Sequence, residues 1–566
     1  MRDAQAAARD FGVGPLLARV LAARGWRDPD AVRAFLAPNW AQLHSPWGMA
    51  GMEAAAARIG AALAASEPIF IHGDYDADGL TSTALLQAAL QRLGGRVASY
   101  IPDRLGSGYG LHLPAIEAAA RRGARLMITV DGGIREHAAI GRAAAWGLET
   151  IVTDHHLPTA ELPPAVAVLN PHRADCGYPE KALTGVGVAF KLAQALWERA
   201  GRALPGQFSP WLAAACKLVA IGTVADAAPL CGENRVLVRL GLEALNGANA
   251  PGLAALLRLA RRAESLDPWR AEDLAFRVAP RLNAAGRMAH ADLAVALLTA
   301  RAPEAAELAR QLEALNEARR SAERNICAEA LAMLALAPDT SAEPILLLDS
   351  EGWHRGVLGL AAARVMAAAG KPVLIFAREN GLAHGSGRAP AGCHLLAALE
   401  PCADLFVRYG GHAQAVGCVL PCDRLPELRR RLRRSAEAAW AATPPPAPPM
   451  TEAIPADPAE FTPEAVRELD RLEPCGAGNP SPVFAATARL VAPPAVLKDL
   501  HLKLRIAGPG GAPLEALAWN AAARASSLAA GDTVPFRCRA EFSSHARFGD
   551  RVRLTIQGWG ADRGDT

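Results

Sequence analysis

The chain has 566 residues, 51% hydrophobic and 21% charged, with a formal net charge of +3. That length exceeds what one hydrophobic core organises and implies three or four domains, and the composition excludes a disordered or fibrous protein. The sequence holds no uncharged apolar run long enough to span a membrane, and its start, Met1-Arg2-Asp3-Ala4-Gln5, lacks an apolar signal core. The ten cysteines are scattered, without zinc-finger spacing. The expectation is a cytoplasmic protein with reduced thiols and no membrane partner, and the small net charge permits nucleic-acid binding without arguing for it.

Residues 1–67 read as an Ala-rich helical segment in which Trp26, Trp40 and Trp47 pack on the domain downstream, without chemistry of its own. From residue 68 strand and helix alternate: strands over 68–71, 96–101, 125–130 and 149–153, and helices from Leu80, over 113–122 and over 135–146. Strands alternating with helices imply a parallel sheet covered on both faces. Helices come next over 184–199 and 209–227, the latter bringing Asp226 near its end, and then a loop from Arg281 to Met288. A long helical pattern over 304–335 connects to a second α/β lobe from Pro344, which holds His384-Gly385-Ser386-Gly387-Arg388, Gly410-Gly411-His412 and an Arg-rich last helix. Thr443-Pro444-Pro445-Pro446 opens a proline-rich linker, and short strands with Gly/Pro turns then suit a small β-barrel.

The chemistry gathers at strand ends. The first strand runs into His72-Gly73-Asp74-Tyr75-Asp76-Ala77-Asp78-Gly79, the third into Asp131-Gly132-Gly133 and the fourth into Asp154-His155-His156. In a parallel sheet these ends share one edge, where ligands bind. Alternating carboxylates with no neighbouring Lys or Arg repel one another, and a multivalent hard cation relieves that repulsion. Asp76, Asp78, Asp131, Asp226, His72, His155 and His156 could serve two divalent ions, with Asp131 the natural bridge. Mixed carboxylate and imidazole ligation suits Mn²⁺ and tolerates Mg²⁺, and two such ions clamp a phosphoryl oxygen and activate water for phosphodiester hydrolysis.

Asp74-Tyr75-Asp76-Ala77-Asp78-Gly79, Asp131-Gly132-Gly133 and Asp154-His155-His156 resemble the motifs of the DHH phosphoesterase superfamily, and Gly410-Gly411-His412 with Ser386-Gly387-Arg388 is similar to its DHHA1 domain. The likeness covers about residues 50–560. The motif order, the 281–288 segment and Leu472-Glu473-Pro474-Cys475-Gly476-Ala477-Gly478-Asn479-Pro480 resemble the members that remove mononucleotides from single-stranded DNA in the 5′ to 3′ direction. The resemblance implies one metal held by His72, Asp76 and Asp131 and another by Asp78, Asp131, His155 and Asp226. Asp74 and His156 would be adjacent, His156 contacting the scissile phosphate or leaving group, and Asp154 would orient a neighbouring imidazole.

The second lobe would then recognise a 5′ end, Ser386 and Arg388 forming a phosphate pocket that Arg104, Arg281 and His412 complete. The barrel resembles an OB-fold, with Lys498, His501, Lys503, Arg505, Arg537, Arg539, Arg547, Arg551 and Arg553 supplying charge, and Phe542, Phe548 and Trp559 as core or stacking residues. The expected architecture is α/β: a helical segment (1–67), a parallel-sheet DHH domain (68–300), a connecting helix (301–343), a smaller α/β DHHA1 domain (344–442), a linker (443–479) and an OB-fold β-barrel (480–566). Single-strand binding protein and a helicase are partners at the level of the family, and the chain is expected to be a monomer. The competing readings are a DHH phosphodiesterase for short oligonucleotides or cyclic dinucleotides, against which the barrel counts, and a non-catalytic scaffold, against which the complete ligand set counts.

Overall fold

The computed structural model describes residues 4–106, 110–202, 209–261, 266–337, 343–441, 453–545 and 549–560. It divides into two compact units, residues 1–100, 110–279 and 451–566 in one, 101–109 and 280–450 in the other. Among the described residues no helix is long and apolar enough to cross a membrane. The proline-rich stretch 443–449, Arg547 and Phe548 lie outside the described residues.

In the first unit, strands β1 (Pro68–His72), β2 (Arg96–Tyr100), β3 (Leu126–Val130), β4 (Glu149–Thr153) and β5 (Ala167–Leu169) form a sheet in the order β2-β1-β3-β4-β5. Every pairing is parallel, as near-continuous apolar strands buried on both faces require. The register sets His72 opposite Thr129 and Val130 opposite Thr153, so the polar residues after each strand emerge along one edge. Helices Met52–Ala64, Ala77–Arg92 and Gly185–Arg199 pack their apolar sides on one face, with Ile71, Ile128 and Ile151 in the shared core.

The second unit contains the long helix Ala302–Leu336 and a mixed sheet of β6 (Leu346–Glu351), β7 (Val373–Glu379), β8 (Leu382–Arg388), β9 (Arg408–Gly411) and β10 (Ala415–Pro421), in the order β6-β7-β8-β10-β9. Gly385 and Gly387 face the core, where an added Cβ would collide with the Phe376 ring and stand 2.7 Å from Leu374. The alternate residues Ser386 and Arg388 are thereby directed to the opposite face. The segment 281–288, expected as a loop, is part of the helix Ala279–Met288. Ala279, Leu282, Ala284 and Ala285 are buried along it, and this apolar spacing outweighs the low helix propensity of Asn283 and Gly286.

Two boundaries expected from sequence differ in the structure. The barrel, in the first unit, comprises β11 (Ile454–Pro455), β12 (Phe484–Arg489), β13 (Ala495–Leu497), β14 (His501–Ala507), β15 (Pro513–Ala518), β16 (Thr533–His545) and β17 (Gly549–Trp559). Pairing runs β12-β16-β17-β15-β14, and a bridge from Leu490 to Ile506 closes the ring. Within the expected linker, Phe461, Val466, Leu469 and Leu472 belong to the barrel core, as do Leu17, Leu21 and Leu36 from the N-terminal helices Pro15–Ala23 and Pro29–Leu36. Residues 1–67 are therefore not one segment: the first part completes the barrel and the helix Met52–Ala64 covers the parallel sheet. Trp26 packs on the barrel core and Trp40 on the sheet core, while Trp47 is 37% exposed and donates to Glu198 at 2.6 Å.

Candidate metal centre

Asp76 is the N-cap of the helix Ala77–Arg92, its Oδ1 accepting from the Asp78 and Gly79 amides at 3.0 and 3.2 Å. The turn can close only with glycine at position 79, because a Cβ there would stand 2.7 Å from the Asp74 backbone. Asp78 points back to the start of the helix Gly185–Arg199, where Oδ2 accepts from the Gly185 amide at 2.7 Å and Oδ1 from Val186 at 2.9 Å. A helix N-terminus holds a carboxylate well, so Asp78 is fixed by two amides with lone pairs to spare. Asp131 takes the left-handed conformation, φ +57°, a strained choice for a non-glycine residue of the kind that persists at functional sites. Gly185 allows its approach, since a Cβ there would come within 2.6 Å of Asp131 Cβ. Asp226 caps the carboxyl end of the helix Pro210–Ala225.

These groups meet. Possible ligand atoms of Asp78, His155 and Asp226 lie within 4.8 Å of one another, as do those of Asp74, Asp76 and Asp131, and those of Asp131, His155 and His156. Asp131 thus belongs to two sets, the position of a bridge. His155 Nε2 stands 3.1 Å from Asp131 Oδ1 and 3.9 Å from Asp78 Oδ2. His72 stacks on Tyr100, with centroids 5.9 Å apart.

The electrostatics show strain without a cation. Burial pushes the carboxyls of Asp78 and Asp131 well above the usual range, and neighbouring acids, Asp226 for the first and Asp78 for the second, push further. Burial and Asp76 raise Asp226 to about 6. Burial lowers His72 and His155 to about 4, so both imidazoles are neutral and able to donate a lone pair. Among the described residues no Lys or Arg pairs with Asp76, Asp78, Asp131 or Asp226; the buried His72 Nε2 has no hydrogen-bond partner, and the buried Asp131 Oδ1 and His155 Nε2 have only each other, at 3.1 Å. Orphaned buried lone pairs on hard oxygens and neutral imidazoles fit divalent cations.

Asp154 plays a different part. Its Oδ1 accepts from the His155 and His156 amides at 2.7 and 3.0 Å and lies 2.7 Å from His156 Nδ1, while Oδ2 accepts from the Ile134 amide at 2.9 Å. Burial opposes the charged form of both partners, yet their contact outweighs it: His156 is raised and Asp154 lowered. The fully buried Asn170, at the end of β5, completes the clamp by donating Nδ2 to the His156 carbonyl at 2.8 Å. Sequence reasoning missed Asn170, and it missed the glycines at 185 and 222 that make room for Asp131 and Asp78. The short strand before Asn170-Pro171 was the available signal.

In the second unit, Arg388 Nη1 donates to Ser386 Oγ at 3.3 Å and to the Gly387 carbonyl at 2.7 Å. Burial and the nearby Arg104 lower the Arg388 guanidinium pKa. Gly359, the second residue of the helix Leu358–Ala369, leaves room for both side chains, since a Cβ there would lie 2.8 Å from Arg388 and 3.2 Å from Ser386. A guanidinium, a hydroxyl and a helix N-terminus are groups of the kind that hold anions. Arg281 is forked on Glu313, at 2.5 and 3.0 Å, and His412 is exposed on the β9–β10 turn.

Comparison with known proteins agrees with the modules. The DHH family N-terminal domain matches residues 68–223, the DHHA1 domain 342–438 and the RecJ OB domain 454–554. Fold and site therefore define a DHH phosphoesterase with its DHHA1 domain. The chain is 38% identical over 531 residues to the single-stranded-DNA-specific exonuclease RecJ of Escherichia coli, covering 89% of each chain, and 37% identical to that of Bacillus subtilis, covering 83% of this chain and 58% of that one. The crystal structure of Thermus thermophilus RecJ in complex with Mn²⁺ superposes with TM-score 0.80 at 32% identity, covering 99% of this chain and 78% of that one. The chain belongs to the RecJ family.

Proposed function

We propose that this chain is a metal-dependent 5′ to 3′ exonuclease of single-stranded DNA that releases 5′-mononucleotides and acts in recombination and repair. The observation that carries the reading is the convergence of Asp76, Asp78, Asp131, Asp226 and His155 at one sheet edge, with His72 at the end of the neighbouring strand and its buried Nε2 unpartnered. His72, Asp76 and Asp131 would hold one divalent ion, and Asp78, Asp131, His155 and Asp226 a second. Mn²⁺ or Mg²⁺ bound there supplies Lewis-acid polarisation of the phosphodiester and a nucleophile at neutral pH. The chain's own groups do the rest. Asp131 is shared by both sites, Asp74 stands beside the first, and His156, whose basicity the contact with Asp154 raises, is the group that offers a proton to the scissile phosphate or leaving oxygen.

Ser386 and Arg388, with Arg104 close by and Arg281 and His412 in the same unit, supply the 5′-phosphate recognition that fixes polarity. Residues 68–300 do the chemistry, 344–442 select the end and the barrel holds the strand. The protein works in the cytoplasm as a monomer, with single-strand binding protein and a helicase as partners. Strands labelled at either end, digested with Mn²⁺ or EDTA by wild type and Asp131→Ala, test the reading. Mononucleotides from the 5′ end alone, only with metal and only from wild type, support it; cleavage confined to dinucleotides or cyclic dinucleotides would replace it with the phosphodiesterase reading.

A further inference from the structure

Asp226 differs from the other acids of the metal centre in how it is held. Asp76 and Asp78 bond to backbone amides through their own carboxylates, whereas among the described residues no hydrogen bond holds the Asp226 side chain. Its place is set by the backbone alone, at the end of the helix Pro210–Ala225, where helices ordinarily fray. The chain leaves that helix by a Schellman turn, in which the Ala227 amide donates to the Val224 carbonyl at 3.2 Å and the Ala228 amide to that of Thr223 at 3.4 Å. The residue after the cap of such a turn is left-handed and usually glycine, yet here it is Ala227, at φ +56°. A strained residue of this kind persists only where its surroundings over-determine it.

Those surroundings come from far downstream in the chain. The motif from Leu472 to Pro480, which the chemistry leaves unused, contains a tight turn closed by two backbone bonds: the Gly476 amide donates to the Asn479 carbonyl at 2.9 Å, and the Asn479 amide to that of Gly476 at 3.2 Å. Gly478, at φ +70°, fills the position of this turn that needs a positive φ. The Ala477 carbonyl accepts from the Leu230 amide at 2.7 Å, and the Gly478 carbonyl accepts from Cys231 Sγ at 3.3 Å. Glycine lets the turn close on this loop, since a Cβ at position 476 would stand 2.8 Å from the Leu230 side chain and one at 478 would stand 2.9 Å from Cys231 Sγ.

The turn has a foundation of its own. The buried Asn479 donates Nδ2 to the Leu472 and Pro474 carbonyls at 2.9 and 2.7 Å, and its Oδ1 accepts from Arg24 Nη1 at 2.7 Å. Leu472 lies in the barrel core and β12 starts at Phe484, so the barrel carries the turn. From the catalytic side the fully buried Asn234 donates to the Pro229 carbonyl at 3.2 Å. Residues 229–231, just after the strained Ala227, are thus pinned from two directions.

We infer that the turn 476–479 is a positioning element for Asp226. By pinning residues 229–231 it keeps Ala227 left-handed and the Asp226 carboxylate beside Asp78 and His155, which ties this ligand of the second divalent ion to the seating of the barrel. The inference rests on the reading of Asp226 as a metal ligand, and titration with Mn²⁺ by calorimetry, without DNA, tests the two apart. Asp226→Asn should lose one of two sites; if it keeps both, the ligand reading falls and the inference with it. Gly478→Ala, which crowds Cys231 and Pro229, should weaken that same site by about tenfold or more and leave the other as in wild type. Asn479→Ala, which undermines the turn without adding atoms, should act in the same direction. Wild-type affinity at both sites in these two variants, with one site lost in Asp226→Asn, overturns the inference alone. Loss at both sites, or the same loss in the barrel-core variant Leu504→Ala, marks a general defect of the fold and overturns it as well.

Discussion

Two groups of buried charges lie in the same catalytic domain and are treated in opposite ways. Lys191 and Glu233, both fully buried side chains, form an ion pair that is satisfied on every side. Tyr178 donates to Glu233 at 2.6 Å, the His44 amide donates to it at 3.0 Å, and Lys191 donates to the His44 carbonyl at 2.9 Å. At the strand edge Asp78, Asp131 and Asp226 pair with no Lys or Arg among the described residues, and the one imidazole raised there, His156, is engaged by Asp154. A fold that neutralises one buried cluster so fully has not left the other bare by chance, because an uncompensated buried charge costs several kcal/mol. The contrast separates charges that the protein completes for itself from charges it reserves for an ion.

The contrast can be broken at either end. Asp131→Asn should cost about 10³-fold or more in nuclease rate and abolish the rise in Tm on adding Mn²⁺, yet make the metal-free protein more stable by roughly 1 kcal/mol through relief of repulsion. Calorimetry with and without metal reads both, and a metal-free variant less stable than wild type would contradict the repulsion. Glu233→Ala should do the reverse, losing about 3–5 kcal/mol in denaturant unfolding whether or not metal is present, because it strands Lys191. Replacing both partners, Lys191→Met with Glu233→Leu, should recover most of that loss.

Acidity sharpens the comparison. Asp226 titrates near 6 while His72 and His155 stay neutral down to about 4. The gain in Tm from Mn²⁺ should therefore be full above pH 6 and fade as pH falls through it. A carboxyl raised in the fold favours the folded state only in its neutral form, so the contribution of Asp226 to the metal-free protein runs oppositely and falls as pH rises from about 4 through 6, while His72 and His155, lowered in the fold, contribute stability that grows over the same range; in Asp226→Asn only the second trend should remain. The smallest effect is expected for Asn170→Ala, about 1–2 kcal/mol of stability, with weaker Mn²⁺ affinity by calorimetry as the His156 turn loosens.

The sequence made the parallel sheet and its edge readable because both rest on local signals: an apolar run, then an acid or histidine, three times over. Asp131 and His155, 3.1 Å apart, could be assigned to one edge from the sequence for that reason, and His72 to the end of the neighbouring strand. Asn170 could not, since its value lies in reaching a carbonyl fourteen residues away across the sheet. The Arg281 segment hid its helix because Asn283 and Gly286 look like a turn until Leu282 and Ala285 find a core. The N-terminal helices were read correctly as helices, but their partner stands more than four hundred residues downstream.

That distance bears on how the molecule is made. Leu17 and Leu21 are buried by side chains such as Phe461, Phe484 and Ile556, and the Arg235 guanidinium joins them by donating to the carbonyls of Phe35, Arg471 and Leu472. The first helices leave the ribosome with their apolar faces unmatched and wait until nearly the whole chain has emerged, roughly half a minute to two minutes at ordinary rates of synthesis. A nascent chain in this interval is a natural client for chaperones. Cutting away the barrel would return the mature enzyme to the same exposed condition.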